Sequence, residues 1–148
     1  MGRSVASVVV EAPTARVWDV LVDVESWPRW TPTVTSVRRL DDGPLRVGSS
    51  ARIEQPKLRP MVWTVTELVP ERSFTWVARV PGVAITGEHT ITRLDDGRTR
   101  LDLVATSSGP LAFLADLLAG WRTRDYVARE AAGIKAAAEA GSDTITGG

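Results

Sequence analysis

From residue 33 to residue 107 the chain reads as short alternating strands divided by turn residues, and from Pro110 to about Ala140 as one helix with no further strand. This order constrains the fold more than any other feature. The links between strands are short, whereas a parallel pair needs a crossover of a dozen or more residues, so the strands must run antiparallel as a meander. Each strand has one apolar face, and the helix has an apolar stripe to bury against it. A curved sheet closed over a single long helix leaves room between the two for a small apolar molecule, so ligand binding is the leading expectation.

The boundaries follow from local chemistry. Val5, Val8, Val9 and Val10 form a β-branched run that reads as a first strand over residues 4–12. Ala12-Pro13 ends it, with Thr14 as the expected N-cap of a helix whose buried stripe is Val17, Trp18 and Leu21. Trp27-Pro28 and Trp30-Thr31-Pro32 then predict a short helical turn and a rigid loop. Further strands are expected near 33–40, 49–55, 60–69, 73–80, 83–94 and 98–107, separated by Pro, Gly and Asp turn residues such as Pro81-Gly82 and Asp95-Asp96-Gly97. Leu94 breaks the parity of His89 and Ile91, which predicts a bulge or shift in the 83–94 strand. Ser107 and Ser108 read as capping residues for the last helix, which spans roughly 45 Å at 1.5 Å per residue. Gly120 and Gly133 mark places where it could kink. Residues 1–141 read as a single domain, and 142–148 as a small, polar, disordered tail.

Period-two alternation sorts the side chains into faces. Ala51, Ile53 and Gln55 share an inward face, as do Trp63 with Val65, Phe74 with Trp76 and Ala78, His89 with Ile91, and Leu101 with Leu103. On the last helix Leu111, Leu114 and Leu118 make one stripe, while Val127, Ala131, Ile134 and Ala138 make another. The alanine-rich half is expected to sit tight on the sheet, and the leucine half to cap an opening. The expected ligand contacts are Trp30, Ile53, Gln55, Trp63, Trp76, His89, Ile91, Leu103, Leu114 and Leu118.

Composition removes several chemistries. The chain has 148 residues, 18 basic and 18 acidic, so it carries no footprint for nucleic acid or an anionic membrane. Cysteine is absent and there is one histidine, which disfavours disulfides, a thiol nucleophile and a zinc site. No apolar run reaches the ~18 residues of a membrane span and no leader is visible, so a soluble cytoplasmic domain is expected, as monomer or homodimer, with no metal and no cofactor. His89 is the only side chain that titrates near neutrality unaided, so it is the candidate general acid or base; the alternative is a hydrogen-bonded wall histidine. Trp27 and Trp30 either form an aromatic wall or only pin their loop to the sheet.

Ala12-Pro13-Thr14-Ala15-Arg16-Val17-Trp18, leading into Asp23-Val24-Glu25-Ser26-Trp27-Pro28-Arg29-Trp30, resembles the START-like, polyketide cyclase/dehydrase and lipid-transport superfamily. Val47-Gly48, residues 63–68, Gly87-Glu88-His89-Thr90 and residues 96–101 add to the likeness, which covers about residues 3–140. It implies an α+β helix-grip fold: a curved, antiparallel seven-stranded sheet wrapped around a long C-terminal helix, with two short helices after the first strand. It also implies a hydrophobic small-molecule partner, aromatic polyketide-like or lipid-like. Two alternatives stand beside simple binding: a cofactor-independent cyclase or dehydratase using the same cavity, and a protein-interaction domain in which the cavity is incidental.

Overall fold

The computed structural model describes residues 2–147 except Lys57; the side chains of residues 115–122 and 141–147 are outside that description. Strand β1 (Arg3–Val10) leads into α1 (Thr14–Val22) and a 3-10 segment (Val24–Arg29). Six strands follow: β2 (Ser36–Arg39), β3 (Ser50–Glu54), β4 (Met61–Val69), β5 (Ser73–Val80), β6 (Val83–Arg93) and β7 (Thr99–Ser108). The chain closes with α2 (Ala112–Gly147). The seven strands form one sheet in the order β1-β7-β6-β5-β4-β3-β2, every neighbouring pair antiparallel. This is the helix-grip architecture. Among the described residues no helix is long and apolar enough to cross a membrane.

Alternation places the core where the sequence puts it. Ala51, Ile53, Trp63, Val65, Phe74, Trp76 and Ala78 are buried, and so are His89, Ile91, Leu101 and Leu103. One register expectation is corrected. Strand β6 pairs without interruption on both sides, and Leu94 lies beyond its end, bonded to the carbonyl of Arg98 within the turn. The irregularity sits in β4, between Val65 and Glu67. The extra residue there brings Leu68 opposite Phe74, so an apolar side chain and not a glutamate completes the inner face.

Two capping expectations are also corrected. Thr14 is the first helical residue of α1; Pro13 precedes it, and the Pro13 carbonyl accepts from the N–H groups of Arg16 and Val17. Ser107 and Ser108 end β7 instead of opening α2. Ser107 bonds the first residues of the chain, its Oγ accepting from the Gly2 N–H and its N–H donating to the Gly2 carbonyl. The start of α2 is held by the β5–β6 turn: Leu111 N–H donates to the Gly82 carbonyl at 2.9 Å. Gly109, at φ 106°, permits this approach, since a Cβ there would lie 2.6 Å from that same carbonyl oxygen.

The second half of α2 is clamped. Val127, Ala131, Ile134 and Ala138 are buried, as the spacing predicts. Lys135 Nζ donates to the Val9 carbonyl and pairs with Glu139, which in turn accepts from the Glu11 N–H. Arg16 of α1 reaches the Ala137 carbonyl at 3.2 Å. The expectation of a disordered tail over 142–148 falls on side chains outside the described set.

Candidate functional site

The described interior holds a cavity of about 110 Å³ between the sheet and the middle of α2. Six of the sequence-predicted contacts line it: Ile53, Gln55, Trp63, Trp76, His89 and Leu103. Alternation explains all six, because each sits on the inner face of its strand or just past its end. Trp76 is the hub, with Trp63 at 5.7 Å, Trp27 at 5.3 Å, Phe74 at 5.2 Å and His89 at 5.8 Å between ring centroids. Gly87, on the inner face between Ile85 and His89, makes space for that hub. A Cβ there would lie 3.2 Å from the Trp76 ring.

His89 is 4 % exposed and stacks on Phe74, with ring centroids 4.1 Å apart and planes 14° apart. Burial pushes its pKa down to about 4, against the opposing pull of the Phe74 carbonyl. The ring is therefore neutral at pH 7. Its Nδ1 lies 3.1 Å from that carbonyl, which requires the proton on Nδ1 and leaves Nε2 as an acceptor. Gln55 has the partner an amide on an apolar face needs: its Nε2 donates to the Thr33 carbonyl at 3.1 Å. Among the described residues Trp63 has none; its indole N–H is buried without a hydrogen bond there.

Three predicted contacts lie elsewhere. Trp30 packs against α2 at Gly133, where a Cβ would lie 2.5 Å from the Trp30 carbonyl oxygen, and it tilts against Trp27 at 5.7 Å. It pins the loop, and Gly133 is the packing notch that admits it. Ile91, two residues beyond His89, is buried in the core but does not reach the cavity. Leu114 is 41 % exposed, because the first turn of α2 is tied to the β5–β6 turn with Leu111, Phe113 and Leu114 outward. Leu118 lies outside the described side chains.

Among the described residues the helix wall is formed by Thr123, Tyr126, Val127 and Glu130. Tyr126 hydroxyl donates to the Pro56 carbonyl, joining α2 to the β3–β4 connection at the cavity edge. Glu130 is the functional candidate that sequence reasoning missed. Desolvation pushes its carboxyl up to about 7, with the Thr33 hydroxyl opposing. Thr33 is itself buried and shares a hydrogen bond of 2.9 Å with Thr31. A signal was present: residue 130 is three after Val127 and four before Ile134, on the buried stripe.

A seven-stranded sheet gripping one long helix around an aromatic cavity defines the helix-grip class of folds. The whole-chain comparison is specific: residues 1–139 match the family described as polyketide cyclase / dehydrase and lipid transport, and the chain belongs to that family. No curated protein matches the chain. Solved structures share the fold at low identity. A hypothetical protein from Helicobacter pylori superposes with TM-score 0.75 at 14% identity, covering 91% of this chain and 86% of its own. A Thermus thermophilus protein gives 0.75 at 16%, covering 95% and 99%. Zhui aromatase/cyclase from a Streptomyces species gives 0.66 at 24%, covering 95% and 93%.

Proposed function

We propose that this protein binds a hydrophobic aromatic small molecule in the cavity between sheet and helix, with Ile53, Gln55, Trp63, Trp76, His89 and Leu103 as its contacts. The observation that carries this reading is the aromatic cavity itself, with a buried indole N–H that no described protein atom satisfies. Leaving such a donor unpaired costs about 1–3 kcal/mol, which a ligand acceptor would recover. Family membership supports the same reading. Native mass spectrometry of protein purified from its own host tests the proposal. A co-purified small molecule, lost when Ala105→Trp fills the cavity, is expected. Protein that carries no such molecule and whose tryptophan fluorescence ignores aromatic ligands overturns it.

A second reading, cofactor-independent cyclisation or dehydration, is favoured by one specific observation: two ionisable groups, His89 and Glu130, line the same cavity and are displaced in opposite directions. His89 would accept a proton weakly at neutral pH, while Glu130 titrates near the working pH and suits general acid–base transfer better. Turnover of a polyketide substrate that survives both His89→Phe and Glu130→Gln would remove this reading.

A further inference from the structure

The chemistry of the occupant follows from what the cavity wall still lacks. On the sheet side, His89 spends its one N–H on Phe74, which leaves Nε2 as the acceptor of the ring. That atom accepts and cannot donate while the ring is neutral. Trp63 presents the opposite need, a buried N–H with no acceptor. The two residues lie on either side of Trp76, each with its ring centroid under 6 Å from it: 5.7 Å for Trp63 and 5.8 Å for His89. A ring resting against Trp76 therefore meets an acceptor towards one edge and a donor towards the other.

Charge narrows the choice. Among the described lining residues there is no Lys or Arg, and the charged types present are Glu88 and Glu130. Glu88 projects from the exposed face of β6, so an anionic ligand would be desolvated in the cavity with no counter-charge among the described residues and with the Glu130 carboxyl on the same wall. A cation would find Glu130 as its counter-charge, a carboxyl whose ionised form burial disfavours. Size narrows it further. About 110 Å³ is of the same order as the roughly 150 Å³ apolar cavity that accepts benzene, so the described space suits one aromatic ring.

We infer that the cavity selects an uncharged, single-ring aromatic carrying oxygen on two edges, at least one of them a hydroxyl that donates to His89 Nε2 while the other accepts from Trp63 Nε1. This rests on the cavity being a ligand site and goes on to name the ligand's class. A carbonyl or a second hydroxyl serves equally on the Trp63 side. Poly-oxygenated rings satisfy both edges; plain hydrocarbons satisfy neither.

The test is a calorimetric titration of the full chain at pH 7 with resorcinol, resorcinol dimethyl ether, toluene, benzoate and benzylamine. Resorcinol is expected to bind at least about tenfold more tightly than toluene or the dimethyl ether, which cannot donate. Benzoate and benzylamine are expected to bind more weakly than resorcinol. His89→Phe keeps the stacking ring but removes the acceptor, and Trp63→Phe removes the donor. Each is expected to lower resorcinol affinity about five- to tenfold, and to lower it more than it lowers toluene affinity. The Trp63 indole N–H resonance should shift with resorcinol in the wild-type protein. Toluene binding as tightly as resorcinol, or either charged ring binding more tightly, overturns the inference and leaves the cavity as a ligand site. Binding of none of the five removes the underlying reading as well.

Discussion

Two adjoining stretches of α2 meet the same sheet and do opposite things. From Ala131 to Ala138 the helix is packed solid: Ala131, Ile134 and Ala138 are each 1 % exposed or less, and Lys135, Glu139 and Arg16 tie the helix to β1 and α1. From Thr123 to Glu130 the helix stands off a cavity and presents two hydroxyl-bearing residues and a carboxylate. Small side chains bring backbones together, whereas Tyr126 and the Trp63–Trp76 pair hold the helix and sheet apart. The hollow is thus a consequence of side-chain size on one helix, and the clamped half supplies the rigidity that keeps it open.

Truncation should expose that contrast most strongly. Ile134→Ala removes a fully buried side chain from the solid end and is expected to lose about 2–5 kcal/mol of stability in urea denaturation. Ile85→Ala, half-buried beside the existing void, should lose about 1–2 kcal/mol, because fewer contacts are forfeited. Equal losses at the two sites would erase the distinction between solid and hollow ends.

The cavity walls also differ in their response to pH, with opposite signs. The sheet wall carries His89, whose folded pKa of about 4 lies below its ordinary 6.5. Between those values the unfolded chain binds a proton that the folded protein refuses, so stability falls as pH drops from about 6.5 to 4. The helix wall carries Glu130, whose folded pKa of about 7 lies above its ordinary 4.5. There the folded protein keeps a proton that the unfolded chain loses, so stability falls as pH rises from about 4.5 to 7. In the overlap the two slopes oppose each other, and each conceals the other. Glu130→Gln should reveal the histidine, with stability rising by about 2–3 kcal/mol from pH 4 to 6.5. His89→Phe should reveal the carboxylate, with a fall of similar size from pH 4.5 to 7. Denaturation midpoints for both variants across that range decide it; parallel profiles would mean the two groups do not face a common desolvated space.

The sheet wall was legible in the sequence and most of the helix wall was not. Period-two alternation names the inner residues of every strand, so Ile53, Trp63, Trp76, His89 and Leu103 follow from position alone. Only the bulge was misplaced, because Leu94 sits past the strand end and the break in β4 is masked by residues apolar on both parities around Leu68 and Val69. For the helix, apolar spacing identified the solid stripe correctly but carried the search for the opening to leucines. A helix that lines a cavity does so with the polar residues of its inner stripe, and Tyr126 and Glu130 lie on that stripe at three- and four-residue steps. Leu114 was misled by bulk: the anchoring of Leu111 to Gly82 turns the first helical turn outward, a tertiary constraint that periodicity does not encode. Trp30 depended on Gly133, a contact across about a hundred residues of chain.

The smallest expected change in stability tests the hollow end most sharply. Gly87→Ala places a methyl 3.2 Å from Cδ1 and Nε1 of Trp76 and 3.7 Å from Cε1 of His89. Replacing glycine within a strand gains about 0.5–1 kcal/mol through backbone entropy, and the tight contact with Trp76 takes back a comparable amount. Net stability should therefore stay within about 1 kcal/mol of wild type. The methyl nevertheless projects against Trp76 and His89, the two rings the proposed ligand would contact. Affinity for resorcinol should fall at least about fivefold while the unfolding midpoint barely moves. At the solid end no substitution can separate the two quantities in this way, since every side chain there serves the fold alone. An unchanged affinity in Gly87→Ala would place the bound ring away from Trp76 and make the aromatic hub a piece of core rather than a binding surface.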